Sequence, residues 1–187
     1  MKTIIRVSTI EEEQMRVENA LKKLDWYKEK GYIVVLPKSS VAEEYEAAKY
    51  NLDGIIKEWL KVENNFLEKL SEVFGNKLQK EYLVRLTRYG VGGSYHLPNT
   101  IILNIADEYS GKRNPAESIG HEIIHLRLEP LIQKYKVGHW QKERLADLIA
   151  SKMIADYHVQ KIPIETKTVE ESFNRLFPDI EKIIKSI

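Results

Sequence analysis

The chain has 187 residues, enough for one domain with its own core, and its 29 Lys and Arg against 28 Asp and Glu leave a formal charge of +1. No large single-sign field is available to follow a phosphate backbone or an anionic membrane, so neither nucleic acid nor a membrane is expected as a partner. A hydrophobic fraction of 43% excludes a disordered chain, and zero Cys excludes a disulfide scaffold, a Cys-ligated zinc finger, an iron–sulfur cluster and a thiol nucleophile. Any metal must therefore be held by His, Asp or Glu. The charged fraction of 30%, mostly Lys and Glu, fits the surface of a thermophile's protein. No apolar run approaches the ~20 residues of a membrane span, and the opening MKTIIRVSTIEEE turns acidic where a signal peptide needs its apolar stretch. A cytoplasmic location is the expectation.

In chain order, residues 2–7 read as a short strand. Ser8 with Glu11 resembles a capping box, and Met15, Val17, Leu21 and Leu24 supply an apolar stripe that predicts a first helix ending at Gly31. Tyr32–Leu36 is rich in strand formers. From Val41 a long helical pattern runs through Ile55, Trp59, Phe66, Leu70 and Phe74 to Gly75, with a break near Asn51–Gly54. Glu81–Tyr89 has a strand pattern, and the glycines at 90, 92 and 93 precede two further strand segments separated by a turn at Pro98-Asn99. Asn114-Pro115-Ala116-Glu117 offers an N-cap, a proline at the first helical position and an early acid, so a helix is expected from Pro115 to about Leu128, ending before Pro130. A further helix is predicted from about Gln141 to His158, and two short amphipathic helices from Thr168, broken at Pro178. Three regions follow within one domain: a helical N-terminal part over 1–80, a core over 81–160 and a helical tail over 161–187.

The Pro115 helix carries His121-Glu122-Ile123-Ile124-His125, the H-E-x-x-H arrangement. Residues four apart lie ~40° apart around a helix and ~6 Å along it, so both imidazoles can reach one ion while Glu122, one step round, can act on a water bound to it. A catalytic zinc site usually has three protein ligands. Leu128 and Leu131 stand where a metzincin needs Gly and His, and a deformylase-type site needs a Cys. Glu129 continues the series along the same helix, but three ligands spread over ~12 Å of helix cannot meet at one ion, which makes it a surface acid. Glu143, eighteen residues beyond His125, is the better third ligand. It shares a helix face with Asp147, so that one acid can ligate while the other accepts a histidine N–H.

Over about Tyr82–Tyr157 the sequence resembles the gluzincin zinc metallopeptidases, in which H-E-x-x-H is followed on a downstream helix by E-x-x-x-D. The short spacing is similar to that of the minimal members called minigluzincins. Glu143-Arg144-Leu145-Ala146-Asp147-Leu148-Ile149-Ala150 also resembles the E-x-x-A-D/N-x-x-A pattern of the repressor-cleaving ImmA/IrrE-type peptidases. The resemblance implies an α+β zincin-like domain, a small mixed sheet backed by helices, with an active-site helix and a glutamate helix. It implies a zinc cofactor on His121, His125 and Glu143, Glu122 as general base and acid, Asp147 orienting a ligand histidine, and a peptide or protein as substrate. Larger gluzincins carry Asn before the ligand Glu, whereas this chain has Lys142. The rival is a peptidase-like domain that only binds or regulates, but a structural metal site has no use for a base such as Glu122.

Gly92-Gly93-Ser94-Tyr95-His96 precedes the catalytic helix as the upper-rim strand does in zincins, so these residues are expected to bind an extended substrate along a sheet edge. A donor to the developing oxyanion is also required, with His139 and Tyr135 as the leading candidates beside Tyr95 and His96. Tyr157 and His158 lie ~21 Å or more beyond Glu143 on a straight helix and read as packing or capping residues. The tail is expected either to pack Phe173, Leu176, Phe177, Ile180 and Ile184 into the core or to cover the cleft as a latency segment.

Overall fold

Alternation along Glu81–Thr87 puts Tyr82, Val84 and Leu86 on one fully buried face of a strand. The structure, a computed structural model, describes residues 2–48, 50–75, 79–106, 109 and 114–187. The chain runs β1 (Lys2–Val7), α1 (Ile10–Lys22), α2 (Leu24–Glu29), α3 (Val41–Ala47), α4 (Leu52–Leu60), α5 (Glu63–Phe74), β2 (Glu81–Thr87), β3 (Gly93–His96), β4 (Thr100–Asn104), α6 (Pro115–Tyr135), α7 (His139–Met153), α8 (Lys167–Leu176) and α9 (Ile180–Lys185). It is a mixed α/β fold. The sheet order is β1-β2-β4-β3, with β1, β2 and β4 parallel and β3 antiparallel to β4. β3 is therefore an edge strand, in register with Gly93 opposite Leu103 and Tyr95 opposite Ile101.

The core lies where the buried sheet face, carrying Tyr82, Val84, Leu86, Ile101 and Leu103, meets Ile119, Ile123 and Ile124 of α6 together with Trp59 of α4 and Phe66 and Leu70 of α5. Gly120 lets this packing close up, since a Cβ there would stand 2.6 Å from Ile154 and 3.1 Å from Phe66. The opposite face meets α1 through charge: Glu12 accepts from Arg6 at 2.7 Å and from Arg85 at 2.9 Å. Glu13, next to it, is fully buried and accepts from the Thr87 hydroxyl and, at 3.1 Å, from the Arg88 amide. Among the described residues, no helix is long and apolar enough to cross a membrane.

Several elements differ from expectation. The first capping box uses Thr9 and Glu12, not Ser8 and Glu11, and the first helix divides at Lys23 before Gly31 turns the chain at φ 74°. Tyr32–Leu36 contributes only one bridge, Val35 to Gly90. The long central pattern divides into α3, α4 and α5, with Asn51 capping α4 through Gly54 N. The largest correction is at α6, which passes through Pro130 and ends only at Lys136, in the left-handed conformation at φ 53°. Pro130 is exposed, so its missing N–H and the clash of its ring fall on the solvent side. The turn beyond it buries Ile132 and ties Tyr135 to α9, and that packing outweighs a cost of about 3 kcal/mol. In the other direction, α7 stops at Met153 rather than His158, and the chain turns back through Asp156 at φ 56°.

Candidate metal centre

Asn114 caps α6 by accepting from the Ala116 amide at 2.8 Å, and Pro115 starts the helix, which fixes the rotation that presents His121 and His125 together. Their Nε2 atoms stand 2.9 Å apart, and each is 3.3 Å from Glu143 Oε2, carried across by α7. Both histidines are 2% exposed. The three side chains form a group that could hold a metal ion, built from the residues expected. Burial opposes the charge on Glu143, but the two imidazoles hold its carboxyl well below the usual range. Burial likewise opposes a charged His121, and the facing Asp147 and Glu143 outweigh it, raising that imidazole to about 9.

Asp147, fully buried, lies behind His121, with Oδ1 3.1 Å from Nδ1. A proton on Nδ1 then faces the acid, so that Nε2 is the nitrogen whose proton a bound metal ion would displace. Asp147 is held in turn by the Gln160 amide at 2.9 Å and by the Tyr157 hydroxyl at 2.6 Å. Tyr157 is a correction to the sequence reading, since its hydroxyl is also 2.9 Å from His121 Nδ1. The straight-helix distance fails because α7 ends after Met153 and the reversed chain brings the tyrosine back. His158 goes the other way: its amide and ring meet Glu117 of α6 at 3.3 and 3.0 Å, a packing contact as expected.

Glu122, 8% exposed, points from α6 to the edge strand. A Cβ on Gly93 would collide with its Oε1, so glycine lets strand and carboxylate touch. Of the expected substrate strand, Gly93 and Tyr95 face α6. Tyr95 stacks on His125 with centroids 5.1 Å apart and planes 13° apart. Ser94 and His96 fall on the other face by strand alternation, which removes His96 from the cluster side. Gly92 lies outside β3; its carbonyl accepts from the Asn104 amide at 2.8 Å, and a Cβ there would stand 2.9 Å from the Tyr109 ring. Glu129 is not in the cluster; it accepts from Tyr95 at 2.5 Å and from Gln133 at 2.9 Å.

The two leading oxyanion candidates separate. His139, four residues before Glu143 on α7, has Nδ1 3.9 Å from Glu143 Oε1. Tyr135 sits at the far end of α6, where its hydroxyl donates to Glu181 of the tail at 2.5 Å, which takes it out of the cluster. A residue that sequence reasoning missed is Tyr32, whose hydroxyl is 2.8 Å from His139 Nε2. Burial, then Glu143 and Glu122, push its hydroxyl well above the ordinary value. Trp26 and Trp140 stack on its ring at 6.0 Å each, forming an aromatic wall beside His139. No spacing in the sequence links position 32 to 139. Lys142, which precedes Glu143, reaches the Tyr95 hydroxyl at 3.1 Å and Glu143 Oε1 at 3.8 Å. Compared with protein-family models, with curated proteins and with solved structures, the chain finds no match.

Proposed function

We propose that this chain is a zinc-dependent metallopeptidase of zincin-like architecture that hydrolyses peptide bonds. The observation that carries the reading is the convergence of His121, His125 and Glu143, with Asp147 behind His121 and Glu122 beside but outside the group. The donor set suits zinc: ligand atoms ~2.0–2.2 Å from a tetrahedral ion stand about 3.3–3.6 Å apart, against 2.9, 3.3 and 3.3 Å here. Two imidazoles and one carboxylate would hold the ion. When bound, zinc supplies Lewis acidity toward a carbonyl and lowers the pKa of a water.

The chain's own residues do the rest. Glu122 takes a proton from the attacking water on its carboxylate and returns it to the leaving nitrogen. Asp147 and Tyr157 keep His121 in the tautomer that presents Nε2. The outer edge of β3 offers backbone donors and acceptors to an extended peptide, and Gly93 keeps the strand close to Glu122. His139, backed by Tyr32 and beside Glu143, is the donor assigned to a developing oxyanion.

The test is zinc stoichiometry together with turnover of an unstructured protein by the wild type and by Glu122→Ala. The expected result is one zinc in each protein and loss of hydrolysis only in the variant. A wild type that binds zinc but cleaves nothing, or a Glu122→Ala variant that still cleaves, would sink the peptidase reading.

A further inference from the structure

The two ligand histidines are supported differently. A metal-binding histidine almost always donates its second N–H to a carboxylate, a carbonyl or water, and that partner fixes the ring. His121 has such a partner in Asp147. His125 does not: its Nδ1 is buried and makes no hydrogen bond among the described residues, although the side chain is only 2% exposed. What lies against His125 is the ring of Tyr95, nearly parallel at 13° with centroids 5.1 Å apart. That is an offset stack, a favoured aromatic geometry.

Tyr95 is itself clamped. Its hydroxyl donates to Glu129 of α6 at 2.5 Å and accepts from Lys142 of α7 at 3.1 Å, and the same ammonium lies 5.3 Å from the ring centroid. Those are the two helices that carry the ligands. A single side chain from the edge strand thus spans α6 and α7 and presses its flat face on the imidazole whose Nδ1 has no hydrogen bond among the described residues. The orientation of that imidazole then falls to packing, and the Tyr95 ring lies flat against it.

We propose, building on the metal-site reading above, that Tyr95 is a positioning residue: it orients His125 by stacking, in place of the hydrogen bond that orients His121. Tyr95 therefore sets metal affinity through its ring and not through its hydroxyl. A substrate-contacting or oxyanion role would depend on the hydroxyl and leave metal affinity alone.

The experiment measures zinc affinity by competition with a chromogenic chelator, and the visible absorption of the cobalt-loaded protein, for the wild type, Tyr95→Leu and Tyr95→Phe. Tyr95→Leu, which removes the stack, is expected to weaken zinc binding about tenfold and to shift the cobalt bands. Tyr95→Phe, which keeps it, stays within about threefold with unshifted bands. Unchanged affinity in Tyr95→Leu overturns the proposal. So does a loss in Tyr95→Phe as large as in Tyr95→Leu; if Tyr95→Leu does not fold, Tyr95→Met, which also removes the stack, takes its place with the same two outcomes. A wild type that takes up neither zinc nor cobalt overturns the metal-site reading itself, an outcome distinct from both.

Discussion

Asp147 touches no metal position, yet its carboxylate is the hub behind His121, bonded to the Tyr157 hydroxyl, the Gln160 amide and the imidazole. Replacing such a partner typically costs about 10–100-fold in metal affinity or activity. Asp147→Ala is accordingly expected to weaken zinc binding by that factor while leaving one site per chain, as chelator competition would report; unchanged affinity would remove Asp147 from the site. At this scale the sequence was informative where chemistry is tied to helical spacing. His121, His125, Glu143 and Asp147 were legible because four-residue intervals on a helix place side chains on one face. Tyr157 and Tyr32 were not, because each arrives by a reversal of the chain or from a distant loop, and no interval encodes that. Tyr135 read as a donor on residue type alone, and only the course of α6 past Pro130 shows that it belongs to the contact with α9.

Among the elements, α1 is tied to the sheet by charge, which gives it a pH dependence of known sign. Hydrogen bonding to Arg6, opposed by burial and helped by the Thr9 amide and Arg85, lowers Glu12 to about 2 from its ordinary value of 4.5. A carboxylate depressed in the folded state adds stability that is fully present above its unfolded pKa and disappears as pH falls through the folded one. The Glu12 contribution should thus be intact above pH ~4.5 and lost progressively down to about 2. Denaturation midpoints of wild type and Glu12→Gln should differ at neutral pH and converge toward pH 2; a constant difference would contradict the assignment. Helix and strand existence was mostly legible, while boundaries were not. Thr9 displaced Ser8 as cap because the chain needs one more residue to leave β1, and Pro130 failed to end α6 because its exposed position costs less than the packing beyond it gains. Tyr32–Leu36 has strand composition but among the described residues bridges only at Val35, while Tyr32 stacks between Trp26 and Trp140.

For the whole molecule, the tail decides between a core component and a latency segment. Its apolar side chains point inward: Val169 and Phe173 are each 1% exposed, Ile183 0% and Ile184 2%. They belong to the same core cluster as Ile123 of α6 and Leu145 of α7, the helices that carry His121, His125 and Glu143. α8 is pinned to α7 by Arg144, which donates to Thr166 at 3.0 Å and pairs with Glu170 at 3.2 Å, and α9 is pinned to α6 through Glu181. A buried Phe→Ala change costs ~3–5 kcal/mol, and a domain has ~5–15 kcal/mol of total stability. Phe173→Ala should therefore lower the denaturation midpoint sharply, and a chain ending near Ile164, which loses α8 and α9 together, should fail to fold or should aggregate. A latency segment predicts the opposite, a folded truncation with raised peptidase activity. Circular dichroism and turnover on the same truncated sample separate the two, and a folded, more active product would show that the tail covers the metal centre instead of supporting the helices beneath it.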